Sequence, residues 1–168
     1  MADRMHGFDV VALKGVDARR LGFRKVFGPG DAAIIGVSEK APGVPCILRA
    51  NSSAMFRRIR EESIVGFSIE DLFLDRKLID MIIHEEKTVV FRPGRLTQDS
   101  RFERAASINK MRRILEYCVH SGAKTAVSTL AEREEDVMSS MQLLLVAELI
   151  GAREEKARNM IEAMGEVL

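Results

Sequence analysis

Short β-prone runs alternate with amphipathic stretches along this chain, and that alternation constrains its fold more than any other feature. Phe8–Leu13, Phe23–Phe27, Ala32–Val37, Cys46–Ala50, Ser63–Phe67, Thr88–Phe91 and Lys124–Thr129 read as strands. Helix signals stand between them. Asp17 heads a short helix to Gly22, and Asn51 or Ser52 caps the one after Ala50. Ser68 and Asp71 have the spacing of a capping box ahead of a helix reaching about Glu86. Ser100 and Glu103 form a second box. The helix behind it carries Ile108, Met111, Ile114, Leu115, Cys118 and Val119 on one stripe, and Ser121-Gly122 closes it. Two helices finish the chain, one with Met138, Met141, Leu145 and Leu149 in register, the other with Ala157, Met160, Ile161 and Met164. Strand and helix in alternation, with short connections, predict a parallel sheet with right-handed crossovers, either a barrel or a doubly wound open sheet. The 168 residues show no domain boundary, repeat or low-complexity tract and fit one domain, 1–168.

Charge is balanced overall at +1 but unevenly spread. Arg92 to Arg113 holds seven bases against two acids, whereas Ala131 to Leu168 holds four against nine. A chain with one basic functional face has this asymmetry, and so do two solvated faces of opposite sign. Cys46 and Cys118 are far apart and make no metal-type pair, which fits two buried thiols in a reducing compartment. Met1 to His6 has no hydrophobic signal core, and no apolar run approaches the ~18 residues of a membrane span. The expectation is a cytoplasmic protein without membrane contact.

In a βα barrel the C-terminal strand ends form the site face. Asn51, Ser52, Ser53, Ser68, Arg92, Arg95, Ser128 and Thr129 fall there. Hydroxyls, an amide and arginines beside helix starts suit phosphate or another anion, and the hydroxyls serve equally well as plain helix caps. Arg101 and Arg104 sit in the first turn of their helix, where the dipole disfavours cations, so a bound anion would offset the cost; pairing with Asp99 and Glu103 would do so too. His6, His84 and His120 are scattered, with no metal-ligand spacing, no nucleophile–base pattern and no phosphate-binding glycine loop. No catalytic residue and no metal site is assigned.

The order Asp75-Arg76-Lys77-Leu78-Ile79-Asp80, strand Val89-Val90-Phe91 and then Arg92-Pro93 resembles the protein-component-3 family of archaeal ribonuclease P, the relatives of the eukaryotic thirty-kilodalton subunit. Arg104-Ala105-Ala106, Lys110-Met111-Arg112-Arg113, Val127-Ser128-Thr129 and the turn at Ile150-Gly151 extend the likeness over about Cys46 to Ile161. The resemblance implies an α/β fold, TIM-barrel-like and of the metal-free polymerase-and-histidinol-phosphatase (PHP) type. The poor match before Pro45 implies shortening at the N-terminus. It further implies a non-catalytic subunit that supports the catalytic RNA in removing the 5′ leader from precursor tRNA. Its partners would be the ribonuclease P RNA, precursor tRNA indirectly, and a small RNA-recognition-like protein subunit. Magnesium would come with the RNA, and the protein would hold no cofactor. Carried onto this chain, Arg76, Lys77, Arg92, Arg104, Arg112 and Arg113 match the family's basic positions; Arg95, Arg101, Ser128 and Thr129 join them as candidate RNA, phosphate or partner contacts.

Two other readings compete. One is a small βα-barrel enzyme that binds a phosphorylated metabolite, for which Asp75 and Asp80 are the nearby acids; the other is a docking scaffold that uses its Met-rich C-terminal helices.

Overall fold

The computed structural model describes residues 7–50, 56–69, 76–94, 96 and 100–168. Its strands are β1 (Phe8–Val10), β2 (Lys25–Phe27), β3 (Ala33–Ile35), β4 (Cys46–Ala50), β5 (Ile64–Ile69), β6 (Thr88–Phe91) and β7 (Lys124–Val127). The helices among the described residues are α1 (Arg76–His84), α2 (Arg101–His120), α3 (Ser140–Leu149) and α4 (Glu154–Val167). Every described ladder is parallel. Strands β3 to β7 form a five-stranded sheet in sequence order, and β1 pairs with β2. The chain running on from β7 reaches β1: Val11 and Ala131 form a parallel bridge, and Ala12 N–H donates to the Ala131 carbonyl at 2.7 Å. The β1–β2 pair thus continues the sheet beyond β7. Strands β2 and β3 share no ladder among the described residues.

Alternation along the strands produces two apolar layers. Cys46, Leu48, Phe67, Val89, Phe91 and Val127 pack with Ile79, Ile82, Met111, Ile114, Leu115 and Leu143 of the helices. Ile47, Val90 and Ala126 point the other way and meet Val10, Phe27, Leu130 and Met164 in a second cluster. Residues from both ends of the strand order meet there, so the sheet curls around this inner core. Gly66 sits on the same inner face. A Cβ at this position would lie 3.1 Å from a Val90 methyl and 3.3 Å from the Thr88 carbonyl, so a bare backbone lets β5 and β6 close on each other.

Local signals hold at several element ends. Ser100 Oγ accepts from Glu103 N–H, and Glu103 Oε2 accepts from Ser100 N–H at 3.0 Å, which completes the expected capping box of α2. Gly122, with φ of +74°, follows that helix as its C-terminal stop. Strand β6 ends at Phe91, just before Arg92-Pro93, as the missing proline donor requires.

Four local expectations change. Ser68 does not cap a helix; it lies fully buried in β5, paired in register with Arg49 and Val90, because strand pairing on both sides satisfies its backbone. The segment from Asp17 to Gly22 forms turns rather than a helix, although Asp17 still accepts from Arg19 and Arg20 N–H at 3.0 and 3.2 Å. Val119 leaves the buried stripe of α2 and is 55% exposed. In α3 the Met141–Leu145–Leu149 row faces outward, and Leu143 and Ala147 face the core instead. That helix is apolar nearly all round, so periodicity alone could not select its buried side.

Candidate nucleic-acid interface

Two polar constellations occupy the C-terminal end of the sheet. The first joins β1 to the end of β7. Asp9 is fully buried and accepts three hydrogen bonds there, from Ser128 Oγ at 2.7 Å, Thr129 N–H at 2.8 Å and Thr129 Oγ1 at 2.6 Å. Ser128 Oγ in turn accepts from Val10 N–H at 3.2 Å. Burial pushes the Asp9 carboxyl up to about 6, while the bonds from Thr129 and Ser128 pull the other way. The side chains of Ser128 and Thr129 are therefore turned inward, engaged with Asp9 and shielded from solvent.

The second constellation is ionic. Arg49 near the end of β4 and Arg92 just after β6 both contact Glu132 Oε1, Arg92 Nη2 at 3.2 Å. Three segments that are distant in sequence thus meet over the strand ends. Arg92 stands where the sequence suggested, while Arg49 and Glu132 escaped notice. A charged residue inside the otherwise apolar run Cys46-Ile47-Leu48-Arg49 was the available signal, as was Asp9 inside Phe8-Asp9-Val10-Val11.

After β6 the chain leads on to α2, whose first turn carries Arg101 and Arg104, both exposed. Farther along that helix Arg112 and Arg113 are exposed as well, and Arg112 Nη2 donates to the Leu149 carbonyl at 3.0 Å. Arg76 and Lys77 lie on the outer surface of α1. Arg76 stacks over the Tyr117 ring at 5.4 Å, and Tyr117 Oη donates to Asp80 at 2.8 Å. These last residues belong to the outer helical layer, where Arg76, Tyr117 and Asp80 contact one another. Arg95, Asn51, Ser52, Ser53 and Asp75 lie outside the described residues.

His84 and His120 end α1 and α2, as expected from their positions. Among the described residues no three His, Cys, Asp or Glu side chains gather closely enough to hold a metal ion. Cys46 and Cys118 are buried free thiols, and burial pushes Cys118 up to about 12, far from a reactive thiolate. No described helix is long and apolar enough to cross a membrane.

The curled parallel sheet, with helices over one face and polar groups at its strand ends, has a counterpart among solved structures. The fold is shared with a chain of archaeal ribonuclease P. That chain comes from the cryo-EM structure of archaeal ribonuclease P with mature tRNA, and it superposes with a TM-score of 0.70 at 13% sequence identity. The match covers 95% of this chain and 79% of that one. No family model matches the sequence, and neither does any curated protein. At this identity the likeness is one of fold. Its extent takes in most of the N-terminal third, for which the sequence showed no kinship.

Proposed function

We propose that this chain is a protein subunit of ribonuclease P and acts by binding RNA rather than by cleaving it. The observation that carries the reading is the fold shared over 95% of the chain with a component of that ribonucleoprotein. The family resemblance drawn from Arg76-Lys77, Arg92-Pro93, Lys110-Met111-Arg112-Arg113 and Val127-Ser128-Thr129 points to the same complex. The finer assignment, to protein component 3 with a single TIM-barrel-like domain of the metal-free PHP type, rests on that resemblance. It is supported by the bridge between Val11 and Ala131 and by the inner core on which β1, β2, β4, β6 and β7 converge.

RNA would meet the strand-end face and the exposed side of α2, where Arg92, Arg101, Arg104, Arg112 and Arg113 supply positive charge. Arg95 belongs to the same run. Arg76 and Lys77 on α1 would serve RNA or the small RNA-recognition-like partner subunit. Phosphate neutralisation lowers the cost of folding RNA and of docking its substrate. Hydrolysis would remain with the catalytic RNA and its magnesium ions, which stabilise the charge of phosphodiester cleavage, and the work would be done in the cytoplasm. Ser128 and Thr129, engaged with Asp9, would shape this face from beneath.

The test is reconstitution. Purified protein is assayed on precursor tRNA alone, with the catalytic RNA, and with RNA plus the small partner, across magnesium concentrations. Cleavage is expected only when the RNA is present, with the protein raising its rate or lowering its magnesium requirement. Multiple-turnover cleavage by the protein alone, abolished by a carboxylate substitution such as Asp75→Asn, would overturn the reading and favour the phosphate-binding enzyme.

A further inference from the structure

A groove of about 650 Å³ lies between the C-terminal half of α2 and the turn that joins α3 to α4. Its floor is aliphatic, made by Leu115, Val119, Ile150 and Ala152. Val119 is 55% exposed there, and Leu149, next to Ile150, is 48% exposed. Leu149 also ends the outward Met141–Leu145–Leu149 row of α3, so the groove opens onto further apolar surface. Its charged lining is uneven: Arg112, Arg153 and Lys156 stand against a single carboxylate, Glu116. Arg112 Nη2 donates to the Leu149 carbonyl at 3.0 Å, and its stem packs over Gly151, where a Cβ would lie 3.4 Å from Arg112 Cγ. That guanidinium is held at the wall. Arg153, the N-cap of α4, makes no side-chain capping bond, and neither it nor Lys156 is engaged in an ion pair among the described residues. Glu154 beside them is taken by Arg158 at 2.6 Å. Glu148 in the last turn of α3 and Glu155 in the first turn of α4 are exposed and line no part of the groove.

We infer that this groove docks an acidic amphipathic helix of a partner protein, with apolar anchors on the aliphatic floor and carboxylates toward Arg153 and Lys156. The floor selects the class of occupant. An RNA strand is held by bases stacked on aromatic rings and by hydrogen bonds to base edges. The lining offers no Phe, Tyr or Trp ring and no side-chain amide or hydroxyl, only the His120 imidazole at one end. Phosphate contacts alone would leave the aliphatic floor in water. A small anion would fill the groove and leave the α3 row uncovered, whereas a helix reaches both. Residues at i, i+3, i+4 and i+7 of such a helix form the apolar stripe that a groove of this kind takes. Its acidic side then meets the cations, and that charge match sets orientation and partner choice. The docking goes beyond RNA binding, because Arg153 and Lys156 stand apart from the cations assigned to RNA.

Zero-length carbodiimide cross-linking tests the docking on the assembly purified through a tag on this chain, with the joined peptides read by mass spectrometry. The Lys156 amine should form an amide with an Asp or Glu side chain of another protein. That side chain should lie in a segment whose Leu, Ile, Val or Met residues recur at i, i+3 or i+4. Val119→Asp and Arg153→Glu change exposed positions, so both variants should keep the native thermal midpoint. Each should lower recovery of the cross-linked protein by about tenfold or more, since like charges or a buried carboxylate then face it. Lys156→Arg keeps the charge and removes the reactive amine, so the cross-link should vanish while the partner stays in the assembly. Lys156 cross-links confined to this chain, or made to a second copy of it, overturn the proposal. Partner recovery unchanged in both charge-altering variants does so too, as does ultraviolet cross-linking of the Val119 or Arg153 peptide to RNA. Affinity for the catalytic RNA, measured separately on the same variants, should stay close to native, so the docking and the RNA-binding reading fail independently.

Discussion

Thr129 donates its hydroxyl to Asp9 Oδ2 at 2.6 Å across 120 residues of chain. With Ser128 and the Thr129 N–H, it ties the first strand to the end of the last one. The tie is made to a carboxyl that burial holds up at about 6, against an ordinary value of 3.8. A carboxyl whose folded value is raised contributes stability that is fully present below the unfolded value and is lost as pH rises through the folded one. The expected outcome is a native protein whose unfolding free energy falls between about pH 4 and pH 7 relative to Asp9→Asn. The drop, for a fully buried group, is on the order of 3 kcal/mol. Urea unfolding of both proteins across that range measures the difference; parallel curves would show that Asp9 does not titrate in the window.

Arg101 and Arg104 are exposed on the first turn of α2, so replacing both by Ala should leave the thermal midpoint nearly unchanged. Exposed substitutions of this kind stay within about 0.5 kcal/mol. Affinity for the ribonuclease P RNA should fall, and the slope of log affinity against log salt should become shallower by about one unit for each phosphate no longer neutralised. An unchanged salt slope in the double variant would assign these arginines to solvation alone.

Leu143 and Leu145 are two residues apart in α3, yet one is fully buried and the other 56% exposed. Leu143→Ala should cost about 2–5 kcal/mol through reduced burial and a residual cavity. Leu145→Ala should cost under about 1 kcal/mol in the free protein. The Met141–Leu145–Leu149 row is also what the docking-scaffold reading needs, so Leu145→Ala in the reconstituted particle separates a partner face from a merely exposed one.

Gly165 of α4 lies against the Phe8 ring; a Cβ there would come within 2.3 Å of it. Gly165→Ala must push α4 away from β1, and overpacking of this kind costs about 1–3 kcal/mol. Because helix propensity by itself would favour Ala by up to about 1 kcal/mol, a net decrease in thermal stability isolates the steric clash. A more stable variant would mean that the ring simply rotates aside.

Much of the element order was legible from residue types because the causes are local. Ser100 and Glu103 need only each other to cap α2, Gly122 only its own backbone freedom to stop it, and Pro93 only its missing N–H to keep β6 from running on. Runs of β-prone residues located the seven strands, the central ones buried on both faces, and periodicity of 3.6 located the long helices, which bury one stripe. What sequence could not decide is which side, and which distant residues meet. The apolar surround of α3 left its buried face open, and packing by Leu143 and Ala147 chose it. Ser68 carried a capping signal that pairing with β4 and β6 overrode. The convergence of Arg49, Arg92 and Glu132, and of Asp9 with Ser128 and Thr129, exists only because a parallel sheet stacks the ends of separate strands side by side. Charge and hydrogen bonding at those ends are non-local, so they appear only once the sheet has curled and brought β1 to β7.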